Sequence, residues 1–286
     1  MPLVPKSPIP PLPKPVFEAA FGLASKSPWL ADHDQGLVEL IHLCPTSGCV
    51  DLVSSLLGRF RYFFVDAALR ETKAAVRFCA EYWQLDAKCC YFVTISDPGR
   101  ANSGQTILNW MKNELGGDPN WTKNNFVTIG RAAHAVPSGG TIVLVDDFIG
   151  SATSLSSKVA FLRKVLANRA VTDVRILTIA LAVMESAASV VNSLVDDSYI
   201  VERLRRGISD YWTGASLTQA TSDMAALEAL LAPKIKGIKL PQFGYKRSES
   251  LYAIQDTSVP NNVFPIFWWP LLATLNARKT LLNRAL

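Results

Sequence analysis

The sequence predicts an α/β fold: a doubly wound, mainly parallel sheet, preceded by a helical region and followed by an irregular, aromatic extension. Three long, mainly apolar runs carry that reading, at residues 89–95, 141–145 and 174–184, the last broken only by Arg175 and Thr178. Runs of this length, rich in β-branched residues and free of polar alternation, suit strands buried on both faces of a parallel sheet. Each run leads through small or polar residues into an amphipathic helical pattern, the repeat expected of strand–helix crossovers. The boundaries follow from composition: a proline-rich arm over residues 1–27, a helical region over 28–86, the α/β core over 87–200 and an extension over 201–286 packing on that core.

Taken in order, residues 1–16 carry Pro at 2, 5, 8, 10, 11, 13 and 15 with Lys6 and Lys14 between them, a composition that favours polyproline II and packs no core. A docking arm and a loosely draped tail both fit it. Residues 29–85 read as mainly helical. Asp34 is placed to cap a helix through Leu37, Leu40 and Ile41 that ends before Pro45. Residues 47–57 and 59–85 continue the pattern, with Phe60, Phe63, Phe64, Ala67 and Ala68 along one side. The first apolar run ends in Ser96-Asp97-Pro98-Gly99-Arg100-Ala101-Asn102-Ser103-Gly104, after which Ile107, Leu108, Met111 and Leu115 mark a helix. Residues 126–129 read as a short strand and 131–134 as a loop over the site, carrying His134. A lone loop histidine is more often solvated than catalytic. Val159, Leu162, Val165 and Leu166 form one face of a helix over 156–170, and a further short helix is expected at 222–231.

The second run passes directly into chemistry, as Asp146-Asp147-Phe148-Ile149-Gly150-Ser151-Ala152-Thr153-Ser154. Carboxylates here fall at the carboxyl end of a buried strand, the edge where open α/β sheets bind ligands. The small residues Gly150, Ser151, Ala152, Thr153 and Ser154 turn tightly into a helix N-terminus, which favours a phosphate. An acidic pair suited to sugar hydroxyls or a metal, beside a phosphate cradle, describes a site for a phosphorylated ribose or nucleotide. Glu185, at the end of the third run, occupies the edge where a base or acceptor is contacted. It equally fits a first-turn carboxylate favoured by the helix dipole.

Composition bounds the alternatives. With 286 residues, the chain is long enough to bury a sizeable core. A net charge of +5 spread along it suits anionic nucleotides and gives direct nucleic-acid binding no support. Five cysteines, odd in number and partly inside apolar runs, read as reduced core residues of a soluble cytoplasmic protein. No stretch reaches the ~18 consecutive apolar residues of a membrane span, and the N-terminus lacks the apolar core of a signal peptide. His42, Cys44 and Cys49 lie close together but match no usual zinc spacing, and an apolar core explains them. Neither G-x-x-x-x-G-K-[ST] nor G-x-G-x-x-G occurs, so a P-loop ATPase and a dinucleotide enzyme are both unsupported.

The stretch from Thr141 to Ser154 resembles the signature of the type I phosphoribosyltransferases. That likeness implies phosphoribosyl pyrophosphate (PRPP) as ligand, with Asp146 and Asp147 on the ribose hydroxyls and, indirectly, Mg²⁺. It also places the 5′-phosphate on residues 150–154 and the pyrophosphate on Arg100, Ser103 and Gly104, residues that a polar turn with an ordinary Ser cap explains equally well. The sequence departs from that pattern at Ala152, where the family usually has glycine, and at Ser154, where Thr is commoner. An alanine methyl there is expected to crowd the cradle. In the extension, Pro260-Asn261-Asn262-Val263-Phe264-Pro265-Ile266-Phe267-Trp268 offers either a purely structural turn or amides and rings for a base. Together with Asp146–Ser151, Ser103-Gly104 and the run from Gly244 to Leu251, it is similar to the PRTase-CE family, phosphoribosyltransferase-like effectors found beside bacterial defence genes, including retrons.

The resemblance implies a phosphoribosyltransferase-like enzyme that transfers or cleaves at the ribose anomeric carbon, as an effector of an anti-phage system. In it Asn261, Asn262 and Glu185 would face the base or acceptor. Two alternatives stay open: an inactive nucleotide-sensing module signalling to a protein or ribonucleoprotein partner, and an ordinary nucleobase-salvage enzyme.

Overall fold

The computed structural model describes residues 13–95 and 103–286, and it begins with three helices, α1 (Lys14–Lys26), α2 (Asp34–His42) and α3 (Ser47–Gly58). Their inward faces are the apolar positions at helical spacing, Leu37, Leu40 and Ile41 in α2 and Cys49, Leu52, Val53 and Leu56 in α3. Thr46 caps α3, its hydroxyl accepting from the Cys49 amide at 3.2 Å. The expected helix over 59–85 is interrupted. Arg61–Phe63 forms a short strand, β1, and α4 (Val65–Glu81) starts only after it. The cause is tertiary, since Arg61, Tyr62 and Phe63 pair in parallel with Tyr252, Ala253 and Ile254 near the other end of the chain. Aromatic residues accept a strand readily when a partner is supplied.

The central sheet follows: β2 (Cys90–Thr94), α5 (Ser103–Leu115), α6 (Ile129–Ala135), β3 (Thr141–Ile149), α7 (Thr153–Asn168), β4 (Arg175–Met184), α8 (Glu185–Leu194) and β5 (Asp197–Leu204). Its strands lie in the order β2-β3-β4-β5, all parallel. Phe126 adds a single parallel bridge to Phe92 on the outer side of β2, and Val127 donates its amide to the Phe92 carbonyl. From β2 the chain therefore steps one way through α5 and returns through α6 to β3 on the other side, a doubly wound arrangement with its switch between β2 and β3. Right-handed crossovers then put α5 on one face and α6, α7 and α8 on the other. The packing of α4 on α5, of α6 on α7 and of α7 on α8 agrees.

Several local expectations are corrected. Residues 126–129 make one bridge instead of a strand, because Thr128 caps α6 by accepting from the Arg131 amide. Residues 131–134 consequently lie in a helix and not in a loop; Ala132 and Ala133 are fully buried, and His134 is exposed. α7 begins three residues before position 156, at the edge of the acidic motif. The strand β5 was not anticipated. The last helix, α9, spans Gly214–Ala229 and not 222–231.

After α9 come a small antiparallel pair, β6 (Lys234–Ile235) and β7 (Ile238–Lys239), and then β8 (Tyr252–Ile254), the partner of β1. Two apolar cores result. One fills the sheet and its helices, and takes in Tyr252 and Ile254 from β8. The other joins the N-terminal helices to the C-terminal aromatics, bringing Trp29, Leu40 and Leu56 together with Phe264, Phe267, Trp268 and Trp269. Among the described residues no helix is long and apolar enough to cross a membrane.

Candidate ligand-binding site

β2 stops pairing with β3 at Thr94–Val145, while β3 continues through Asp146, Phe148 and Ile149 against β4 alone. The strand therefore projects its acidic pair beyond the edge of its neighbour, in the crevice at the topological switch. Alternation along a strand sends consecutive side chains to opposite faces. Asp146 lines a cavity of about 350 Å³ together with Ile95, Phe148 and residues 149–155. Asp147 does not line the cavity although its carboxyl lies beside that of Asp146; it is only 4% exposed and accepts a 2.5 Å hydrogen bond from the Ser103 hydroxyl at the start of α5. Its backbone is held too: the Asp147 amide donates to Asp146 Oδ1 (3.0 Å), and the buried Tyr252 hydroxyl donates to the Asp147 carbonyl (3.1 Å).

Burial, and secondarily the neighbouring Asp147 carboxylate, hold the Asp146 carboxyl well above the ordinary range. Burial also raises Asp147, against the opposing effect of the Ser103 hydrogen bond. Two desolvated carboxyls side by side favour a cation or hydrogen-bond donors. Among the described residues no three His, Cys, Asp or Glu side chains gather to hold a metal. This donor set fits Mg²⁺, which is commonly bound by one or two carboxylates and completed by water and phosphate oxygens.

The small-residue loop forms the other end of the cavity. Ala152 sits in the left-handed region (φ 55°, ψ 7°) and acts as the N-cap of α7 without a side-chain hydrogen bond. No acidic residue occupies the first turn of this 16-residue helix, so its positive end opens on the cavity. The Ala152 methyl belongs to the core beside Leu155 and Val159, and the residue is 3% exposed. The expected crowding of the cradle by that methyl is thus replaced by a strained backbone, which costs about 1–2 kcal/mol for an L-residue. The Ser151 and Thr153 hydroxyls lie 3.0 Å apart at the mouth.

The third wall comes from the C-terminal extension, as Tyr245, Asn261 and Asn262. Contact is tight. A Cβ built on Gly150 would lie 2.3 Å from Asn262 Nδ2, so only glycine lets the acidic motif meet the Pro-Asn-Asn turn. Asn262 is itself fixed: Nδ2 donates to Ser248 Oγ (3.1 Å) and the Tyr245 carbonyl (3.4 Å), and its own carbonyl accepts from the Ser250 amide (3.1 Å) and the Ser248 hydroxyl (2.9 Å). The intervening run is strained, with Phe243, Lys246, Arg247 and Glu249 all at φ between 49° and 57°. Buried Glu228 accepts the Phe243 amide with both oxygens (3.0 and 3.1 Å), and Glu249 accepts from the Ile208 and Ser209 amides at 2.8 and 2.7 Å. From this run Lys246 Nζ reaches Thr153 Oγ1 at 2.7 Å. Phe148 closes the floor by stacking on Tyr252, with ring centroids 4.9 Å apart.

The structure therefore gathers Asp146, Gly150 to Ser154, Asn261 and Asn262 around one cavity. Ser103 touches it only through Asp147, and Gly104 is buried in α5. Glu185 does not line the cavity. It sits in the first turn of α8, half-exposed and 3.7 Å from Arg203 of β5. Arg100 lies outside the described residues. Tyr245, Lys246 and Phe148 were not singled out as site residues by the sequence. Position 245 falls in a run noted for its resemblance, but no local pattern brings it to the acidic strand.

A parallel α/β sheet whose acidic strand end opens on a small-residue loop and a helix N-terminus is phosphoribosyltransferase-like. Residues 50–283 match the PRTase-CE family model, and the chain belongs to that family. Among solved structures, that of the AQ2163 protein from Aquifex aeolicus is similar to 68% of this chain and 86% of its own, at 10% identity and a TM-score of 0.33. No curated protein matches the sequence.

Proposed function

We propose that the cavity binds a 5′-phosphorylated ribose, as PRPP or a nucleotide, and that the protein transfers or cleaves at its anomeric carbon as an effector of a bacterial anti-phage system. One observation carries the reading: Asp146 and the uncapped start of α7 line the same cavity, at opposite ends of a six-residue segment. In this reading the amides and hydroxyls of residues 150–154 hold the 5′-phosphate. Asp146 takes the ribose hydroxyls directly or through Mg²⁺, and Asp147, locked by Ser103, fixes the strand end and adds charge behind it. Mg²⁺, when bound, would neutralise a departing pyrophosphate. The chain contributes orientation and a fixed negative field for an oxocarbenium-like centre, chemistry that needs electrostatics more than a strong base.

A second reading, a nucleotide-sensing module without turnover, draws on a specific feature: only one of the two carboxylates faces the cavity. Calorimetric titration of PRPP, ribose 5-phosphate and nucleoside monophosphates with Mg²⁺ tests both readings, on wild type and on Asp146→Asn. Binding that is lost in the variant supports the site. Single-turnover assays on the bound ligands then separate enzyme from sensor. Failure of the wild type to bind any of the three overturns the proposal.

A further inference from the structure

The structure assigns to Lys246 the role of a ligand-positioning residue at the phosphate end of the cavity, a cation delivered across the fold to a loop that carries no charge of its own. The inference rests on the phosphoribose reading above and adds to it the residue that selects a dianionic 5′-phosphate over an uncharged 5′-hydroxyl. Residues 150–155 contain no charged side chain, so within that segment a bound phosphate meets only amides, hydroxyls and about half a unit of helix-dipole charge. Lys246 Nζ already stands 2.7 Å from Thr153 Oγ1, the first side chain of α7. Among the described residues it has no carboxylate within ion-pair distance.

An exposed lysine loses considerable rotamer freedom when fixed, and a neutral hydroxyl together with the Tyr245 ring, whose centroid is 5.8 Å from Nζ, returns little for it. A phosphate oxygen in the same place would accept a charge-assisted hydrogen bond, roughly twice as strong. The backbone points the same way. Lys246 lies at φ 55° between Gly244 at 77° and Arg247 at 54°, and the turn is pinned where a Cβ on Gly244 would fall 1.9 Å from the Asn262 carbonyl oxygen. Strained backbone of this kind gathers at ligand clamps, where surrounding contacts hold it. Here those contacts run from Asn262 and buried Glu228, and their product is the position of Tyr245 in the cavity wall and of Lys246 beside it, within reach of Thr153.

The test compares Lys246→Met, Lys246→Arg and Lys246→Gly with wild type, by calorimetric binding of ribose 5-phosphate at two ionic strengths and by thermal unfolding. Loss of one charge-assisted contact predicts a roughly 10- to 100-fold weaker Kd for Lys246→Met, with a shallower dependence on salt. Lys246→Arg keeps most of the affinity. Lys246→Gly loses affinity like the methionine variant while its melting temperature holds or rises, because glycine accepts the left-handed backbone. A structural role would instead lower stability and affinity together. Wild-type binding left within twofold in Lys246→Met, or lost only in step with stability, overturns the role of Lys246 and leaves the cavity reading standing. Absence of wild-type binding removes the cavity reading itself.

Discussion

The contact between Gly150 and Asn262 joins two segments 112 positions apart, and its energetics can be worked out from the distances. In Gly150→Ala the new methyl would stand 2.3 to 2.6 Å from the three terminal atoms of the Asn262 amide, against 3.4–4 Å for ordinary contact. Gly150 has no left-handed requirement, since it is absent from the positive-φ residues, so the cost is one of space. Asn262 is 8% exposed, and moving its amide aside breaks the hydrogen bonds to Ser248 and Tyr245. Overpacking costs about 1–3 kcal/mol and the disturbed hydrogen bonds about 0.5–1.5 kcal/mol each. The variant should therefore lose roughly 2–4 kcal/mol of stability. Asn262→Ala alone loses its hydrogen bonds, roughly 1–3 kcal/mol. In the Asn262→Ala background, however, the methyl at 150 meets vacated space and should cost almost nothing further. Urea unfolding of the four proteins, with unchanged m-values, should give a coupling energy of at least about 1.5 kcal/mol, within the range of residues in contact. Additivity within about 0.5 kcal/mol would refute the packing of the acidic motif against the Pro-Asn-Asn turn.

Three further outcomes follow from the same geometry. Asp146 has a raised carboxyl in the folded protein, so its ionisation destabilises the fold as pH rises from the unfolded value near about 4 through the raised one. Asp146→Asn should match wild type in acid, exceed its melting temperature at neutral pH and lose ligand binding; a lower neutral melting temperature would contradict the burial argument. Glu228, raised from 4.5 to about 8 by burial, should make stability fall across that window by at most roughly 5 kcal/mol. Glu228→Gln keeps an acceptor for the Phe243 amide and should flatten the curve, which denaturation midpoints at several pH values will show. Ala152→Gly relieves about 1–2 kcal/mol of left-handed strain but loses a buried methyl, about 0.8 kcal/mol, and adds backbone freedom, about 0.5–1 kcal/mol. Stability should change by less than about 1 kcal/mol and affinity for ribose 5-phosphate not at all, whereas tighter binding would put the methyl in the cradle.

What was legible in the sequence is what local physics determines. The runs at 89–95, 141–145 and 174–184 are strands because few other environments bury so many consecutive apolar residues, and the acidic pair falls at a strand end because the run stops there. β1 was hidden, since residues 59–64 continue a helical spacing and become a strand only through β8, about 190 residues later. β5 was hidden for a related reason. As an edge strand with mostly half-buried side chains, it shows neither a continuous apolar run nor a clean alternation. At the site, Asp146 and the loop were readable from order alone. The pairing of Asp147 with Ser103 needed the pleat of β3 and the position of α5. Glu185, which the sequence left open between a base contact and a first-turn carboxylate, stands in the first turn of α8 with Arg203 as a partner one strand away.

The extension shows why the acidic motif by itself is not a site. Its aromatics, Phe264, Phe267, Trp268 and Trp269, close a core with the N-terminal helices, while the two asparagines immediately before them stand in the cavity wall. Tyr252, from the same extension, supplies the hydroxyl that satisfies the buried Asp147 carbonyl and the ring beneath Phe148. Removing the extension would leave that carbonyl unpaired in an apolar setting, at about 1–3 kcal/mol, and would open one side of the cavity. The second core and one wall of the cavity are thus built from a single segment, which couples them. A ligand that bridges α7 and residues 245–262 must then stabilise the packing of the N-terminal helices, since binding to the assembled state alone raises its free energy of unfolding in proportion to RT ln(1 + [L]/Kd). Thermodynamic linkage makes the relation reciprocal: whatever tightens or loosens the helical region must act on the cavity in the same sense, although no side chain of that region touches it.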